Sequence, residues 1–145
     1  MKSAVEPETL RIIEITMATL TYLTTTHFDF GSIQNLNTEL GKAGITRVFI
    51  ATDAGVRAAG LVDKVTDALE DDLPISIFDE TPGNPTEAAV TKAFEQYTAD
   101  GCDGVLAIGG GSAMDLGKAV ALLAGSGGPL VPVSYTHLTL PTNGC

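Results

Sequence analysis

Hydrophobic and polar positions change period several times along this chain. Residues 20–25 alternate in period two, which predicts a strand at the edge of a sheet. Phe28-Asp29-Phe30-Gly31 then reads as a turn into a helix over 33–43. Ile33, Leu36, Leu40 and Ala43 recur there at helical spacing, and Gly44 supplies the stop. Arg47-Val48-Phe49-Ile50-Ala51-Thr52 is almost continuously apolar over the length of a strand, the pattern of a strand covered on both faces. Leu61, Val62, Val65, Ala68 and Leu69 make the next helical face, and residues 74–78 a second buried strand. Asn84-Pro85-Thr86-Glu87 predicts a helix start, with Asn84 as N-cap, Pro85 in the first helical position and Glu87 three residues after the cap. That helix runs to about Asp100 with Ala88, Ala89, Ala93, Phe94 and Tyr97 inward. Gly104-Val105-Leu106-Ala107-Ile108 is a third buried strand; it breaks into three glycines and is followed by a helix over 113–124. No internal repeat or low-complexity run interrupts this order. Strands alternating with helices imply βαβ units with right-handed crossovers. The predicted class is α/β, an open parallel sheet of Rossmann-like βαβ type.

Composition narrows the classes of function. The chain has 145 residues, enough for one domain with a core, and 44% of them are hydrophobic. Its formal net charge of -10 argues against a nucleic acid or an anionic membrane surface as partner. It does not argue against a phosphorylated cofactor, because backbone N–H groups at a helix N-terminus hold phosphates without basic side chains. Two cysteines, Cys102 and Cys145, form neither a disulfide framework nor a zinc motif, so a reducing, cytoplasmic setting is expected. No stretch reaches the roughly 18 consecutive apolar residues of a membrane span. Glu6, Glu8, Arg11 and Glu14 break any signal-peptide core at the start.

Both ends invite a separate reading. Residues 133–143 back-translate in frame onto a transposase end and adapter of the kind used in sequencing libraries, with Pro132 as a hybrid codon. Residues 132–145 are therefore expected to be a non-native tail, from which His137 is not recruited as a ligand or base. Met17-Ala18-Thr19-Leu20-Thr21-Tyr22-Leu23 reads like a natural start, which makes 1–16 a spurious or flexible extension. The expected nucleotide-binding domain is 17–131.

In an open parallel sheet, ligands bind beyond the carboxyl ends of the strands, and three loops there carry candidate chemistry. Gly109-Gly110-Gly111-Ser112 joins a strand to a helix. The missing Cβ atoms let a phosphate approach the backbone, and Ser112 either caps the helix or donates to a phosphate oxygen. The alternative is a tight turn with a serine cap; the sequence is neither G-x-G-x-x-G nor a Walker loop. Asp53 follows the strand over 47–52. It either accepts both hydroxyls of an adenosine ribose, which would favour NAD over NADP, or caps the turn with Gly55. Pro82-Gly83-Asn84-Pro85-Thr86 is a helix cap that could also form one wall of a nucleotide pocket.

Gly109-Gly110-Gly111-Ser112-Ala113-Met114-Asp115-Leu116-Gly117-Lys118 closely resembles the G-G-G-S-x-x-D-x-x-K signature of the iron-containing (group III) alcohol dehydrogenases. Thr52-Asp53, Asn84-Pro85-Thr86, Tyr22-Leu23-Thr24, Phe28-Asp29-Phe30-Gly31 and the Gly-Pro-Leu at 128–130 fit the same family in order, so the resemblance covers about 17–131. It implies that Gly109, Gly110, Gly111 and Ser112 hold the pyrophosphate of NAD, that Asp53 holds the adenosine ribose, and that Asn84 lines the nucleotide site. Asp115 would lie near the nicotinamide, although Asp115 and Lys118 also read as an ordinary i,i+3 ion pair. The family's second, helical domain supplies an Asp and three His to a divalent metal, usually iron and in some members zinc. None of those ligands is recognisable here, so this stretch by itself is expected to be inactive, to bind NAD weakly, and to expose apolar surface where the helical domain would pack. The implied reaction of the parent is hydride transfer between NAD and a small alcohol or short hydroxy acid, 4-hydroxybutyrate among the candidates, in a homo-oligomer. Two rival readings are a fragment of a glycerol dehydrogenase or dehydroquinate synthase, and a non-catalytic flavodoxin-like nucleotide module.

Overall fold

A computed structural model describes residues 26–127. Three parallel strands, β1 (Val48–Ala51), β2 (Ile75–Phe78) and β3 (Gly104–Ala107), form a sheet in the order β2-β1-β3. Val48 stands beside Ile75 on one side and Gly104 on the other, so the three strands end level. Five α-helices accompany them: α1 (Leu36–Ala43), α2 (Ala54–Ala58), α3 (Leu61–Thr66), α4 (Glu87–Ala99) and α5 (Gly111–Ser126). The expected α/β class and parallel sheet are what the structure contains. The expected strand over 20–25, the residues 1–16, the Gly-Pro-Leu at 128–130 and the tail lie outside the described residues.

Only β1 is buried at every position, because it is the middle strand. Its alternate side chains divide the core in two, as a pleat of period two requires. Phe49 and Ala51 pack with Phe78, Ala93, Cys102, Leu116 and Val120 under α4 and α5. Val48 and Ile50 face the other way, with Leu40 of α1 and Leu69. The strands 74–78 and 104–108, expected to be fully buried, are less so. Ile75 and Ile77 of β2, and Val105, Leu106 and Ala107 of β3, are half-buried, since each strand has only one neighbour among the described residues.

Four helix boundaries depart from the sequence reading, the first at α1, which starts at Leu36 after a 3-10 turn over Ser32–Asn35. The segment between β1 and β2 forms two short helices, because Gly60 takes a left-handed φ of 71° and interrupts the first. Leu61, expected inward, is 44% exposed just after that break, whereas Val62 is buried. α4 starts at Glu87 and its N-cap is Thr86, not Asn84; the Thr86 hydroxyl accepts the Ala89 amide at 3.2 Å. Extended backbone before Pro85 would also suit a cap at Asn84, but it is Thr86, extended at φ -103° and ψ 159°, from which the helical turn starts. Ala88, one of the expected inward positions, is exposed on the first turn. α5 begins at Gly111, and its N-cap is Gly110 with no side-chain cap. Ser112 is therefore inside the helix rather than capping it.

Polar contacts at the opposite end of the sheet brace it. Asp103 accepts the Thr46 and Arg47 amides at 2.8–3.0 Å and the Thr46 hydroxyl. The Thr46 hydroxyl, ahead of those amides, holds the Asp103 carboxyl below the usual aspartate range. Ser76 donates to Asp100 at 2.6 Å, and Gln96 donates to Ser76 and to the Ile77 carbonyl, tying the end of α4 to β2.

Candidate functional site

The three strands deliver their loops to one end of the sheet. There a cleft of about 420 Å³ lies between 53–55 after β1, 81–83 after β2 and 110–112 after β3. Asp53, Gly110, Gly111 and Ser112, picked out in separate parts of the sequence, meet in its wall. Pro82 and Gly83 supply the opposite side, so the loop expected as a wall does serve as one. Asn84 itself is not among the lining residues, because the chain has turned away at Gly83 to enter α4. Neither is Asp115, which is half-exposed one turn into α5 with Lys118 3.7 Å away. In the described structure the i,i+3 pair expected for these two residues is the contact that Asp115 makes.

Each glycine of the Gly109-Gly110-Gly111 run has its own job. Gly109 takes φ 138°, where side chains are strained, and a Cβ there would stand 3.2 Å from Ala113 Cβ, 3.3 Å from Val56 Cγ2 and 3.4 Å from Asp53 Oδ2. It is a packing glycine that lets the β3 loop close onto Asp53. Gly110 and Gly111 face open space with nothing within 4 Å of a built Cβ. Both line the cleft, so bare backbone borders open space where α5 begins.

Asp53 is extended and caps α2, with Oδ1 accepting the Val56 amide at 2.9 Å. Its capping role is thus realised, and the residue also lines the cleft. Ser112 Oγ donates to the Gly83 carbonyl at 2.7 Å and staples the β3 loop to the β2 loop. Thr81, in the same wall, has a buried hydroxyl with no hydrogen-bond partner among the described residues. Sequence reasoning did not single out Thr81, since one threonine after a strand carries no motif. Among the described residues no Lys, Arg or His lines the cleft, so an anion entering it would meet backbone N–H groups and the N-terminus of the 16-residue α5. Among the described residues, no three His, Cys, Asp or Glu side chains converge on a point that could hold a metal. None of the described helices is long and apolar enough to cross a membrane.

A bare βα turn at a helix N-terminus and a carboxylate after the neighbouring strand are the layout of a Rossmann-like α/β domain, in which ligands sit beyond the carboxyl ends of the strands. Residues 24–142 match the family model for iron-containing alcohol dehydrogenases, and the chain belongs to that family. It is 49% identical over 114 residues to 4-hydroxybutyrate dehydrogenase of Cupriavidus necator, covering 79% of this chain and 30% of that protein. It is 31% identical over 99 residues to an NAD-dependent methanol dehydrogenase of Bacillus methanolicus, covering 68% of this chain and 26% of that one. The crystal structure of a 1,3-propanediol oxidoreductase superposes with a TM-score of 0.64 at 28% identity over 70% of this chain and 27% of its own. The chain therefore spans less than a third of the length of these relatives.

Proposed function

We propose that the cleft binds the ADP portion of NAD and that the chain is the cofactor-binding part of an alcohol dehydrogenase. The observation that carries this reading is the open space at Gly110 and Gly111, facing Asp53 across a cleft without basic side chains. In this reading the pyrophosphate rests on the backbone of 110–112 at the start of α5, where the helix dipole favours its charge. Asp53 accepts the adenosine ribose hydroxyls through the carboxylate oxygen left free by Val56. Asn84 and Asp115 lie outside the first contact with the ADP portion. Bound NAD supplies the hydride chemistry; these residues bind and orient it.

The whole protein would oxidise a primary or secondary alcohol or short hydroxy acid. The 49% identity to a 4-hydroxybutyrate dehydrogenase favours a short hydroxy acid as substrate. A metal, iron by the family's description, would sit in a part of the protein beyond the residues described here. The expectation of a homo-oligomer, and of a non-native tail over 132–145, belongs to the same proposal.

The test is a titration of the chain with ADP and with NAD, followed by the backbone amide resonances. The reading expects the amides of Gly110, Gly111 and Ser112 to shift together, saturably and with both ligands. Shifts confined to other surfaces, or none at millimolar ligand, would sink it.

A further inference from the structure

Three acidic side chains crowd the carboxyl ends of β1 and β2. The Thr52 amide donates to the Phe78 carbonyl, and Asp53 pairs with Glu80 through an isolated antiparallel bridge. Asp53, Asp79 and Glu80 thus lie on neighbouring segments, and of the three Asp53 lines the cleft. Two cations answer them. Lys92 bonds Glu80, and Arg57 Nη1 donates to Asp79 Oδ2 at 2.7 Å. Among the described residues Asp53 has no cation; its partner is the Val56 amide.

Arg57 is one turn along the same helix that Asp53 caps, and its amide donates to the Asp53 carbonyl at 3.0 Å. It is the basic residue of that helix, and it is missing from the cleft because its guanidinium reaches across to the β2 loop. Asp79, the less exposed partner, holds it there.

We infer that Asp79 is a positioning residue for cofactor choice: by holding the Arg57 guanidinium on the β2 side, it withholds from the ribose end of the cleft the cation that a 2′-phosphate needs. This rests on the reading of Asp53 as the ribose partner. A 2′-phosphate carries about −2 at neutral pH and would arrive beside an Asp53 carboxylate that has no counter-charge. A free guanidinium one turn away would receive it by a bidentate, charge-assisted contact. Discrimination is then set by two residues acting together, Asp53 by repulsion and Asp79 by keeping Arg57 engaged.

The experiment, by isothermal titration of the chain and its variants, compares 5′-AMP with 2′,5′-ADP, which differ by the 2′-phosphate alone, and uses ADP to report the cleft itself. The unmodified chain is expected to bind ADP, and to bind 2′,5′-ADP at least about tenfold more weakly than 5′-AMP. Asp79→Asn keeps the shape but releases Arg57. It is expected to narrow that preference about tenfold, with ADP affinity changed less than about twofold. The double variant Arg57→Gln/Asp79→Asn is expected to return most of the original preference. Asp79→Ser serves as a second release of Arg57 should Asp79→Asn not fold, checked by circular dichroism. An unchanged preference in the released variants overturns the inference, as does equal binding of 5′-AMP and 2′,5′-ADP by the unmodified chain. A full gain that persists in the double variant overturns it too, because lost negative charge rather than the guanidinium would then be responsible. Failure of the unmodified chain to bind ADP at all would instead bring down the reading of the cleft, and the inference with it.

Discussion

Gly117 lies on the face of α5 that meets the sheet, and replacing it tests how tightly that helix is seated. A Cβ there would stand 3.0 Å from Ala107 Cβ, 3.4 Å from Val105 Cγ1 and 3.7 Å from Ala51 Cβ. Two effects oppose each other in Gly117→Ala. Alanine loses less backbone freedom on folding than glycine, which favours it in a helix interior by about 0.5–1 kcal/mol. Overpacking a filled interior costs about 1–3 kcal/mol. Non-bonded carbons prefer a separation of about 3.5–4.0 Å, so the nearest contact must open by several tenths of an ångström. The methyl groups of Ala107 and Ala51 have no rotamer to turn into, and both belong to paired strands. Relief must come from α5 lifting off the sheet, so the packing cost wins and the net loss is about 1 kcal/mol. Gly125 is the internal control: it is in the same helix with nothing within 4 Å of a built Cβ. Gly125→Ala should gain up to about 1 kcal/mol, less for its place in the last turn. Urea unfolding followed by far-UV circular dichroism compares the three proteins at a common slope. If Gly117→Ala were as stable as Gly125→Ala, the helix would have room to spare, and the claim that it is wedged against β3 would be refuted.

Asp53 has two roles that separate cleanly. Asp53→Asn retains the cap on α2 and should cost little stability while weakening ADP binding, whereas Asp53→Ala should in addition lose about 1 kcal/mol, measurable by the same urea curves. Ser112→Ala removes the staple to Gly83. It should leave global stability within about 1.5 kcal/mol of the unmodified chain while raising amide exchange in the 81–83 loop. Unchanged exchange there would show that the loop holds its place alone. Asp103, whose carboxyl titrates below its ordinary value, contributes stability that is present above the unfolded-state pKa and is lost as pH falls through the lower folded one. Asp103→Asn should therefore flatten the acid limb of stability below about pH 4. An identical acid limb in the variant would remove Asp103 from the account.

How far the sequence could be read depended on how local the cause was. The strand β1 was legible because Val48 to Ala51 is apolar at every position, and burial on both faces leaves no other pattern. The end of α1 was legible in Gly44, which takes the left-handed φ of 69° that a helix stop favours. The start of α4 was misplaced because Asn84, Thr86 and the intervening proline offer two acceptable caps within three residues, and the choice rests on the backbone of the preceding loop. Leu61 was placed inward because its spacing fits a helical face, but the glycine break before it re-aims that face.

The candidate site divides in the same way. The glycine run and its serine were evident in the sequence because phosphate binding requires bare backbone at the start of a helix, and that is a short-range demand. Asp53 was evident as a candidate, but not that it would cap α2 and line the cleft together. Ser112 bonding Gly83 across 29 positions, the buried hydroxyl of Thr81 and the Arg57–Asp79 pair were beyond any local pattern. The chain by itself determined its alternating strands and helices and the bare turn after β3, since these follow from side-chain period and backbone freedom within a few residues. Only the tertiary structure decided which loops share a wall and which charges meet, because the parallel register of β2, β1 and β3 brings distant loops to the same level.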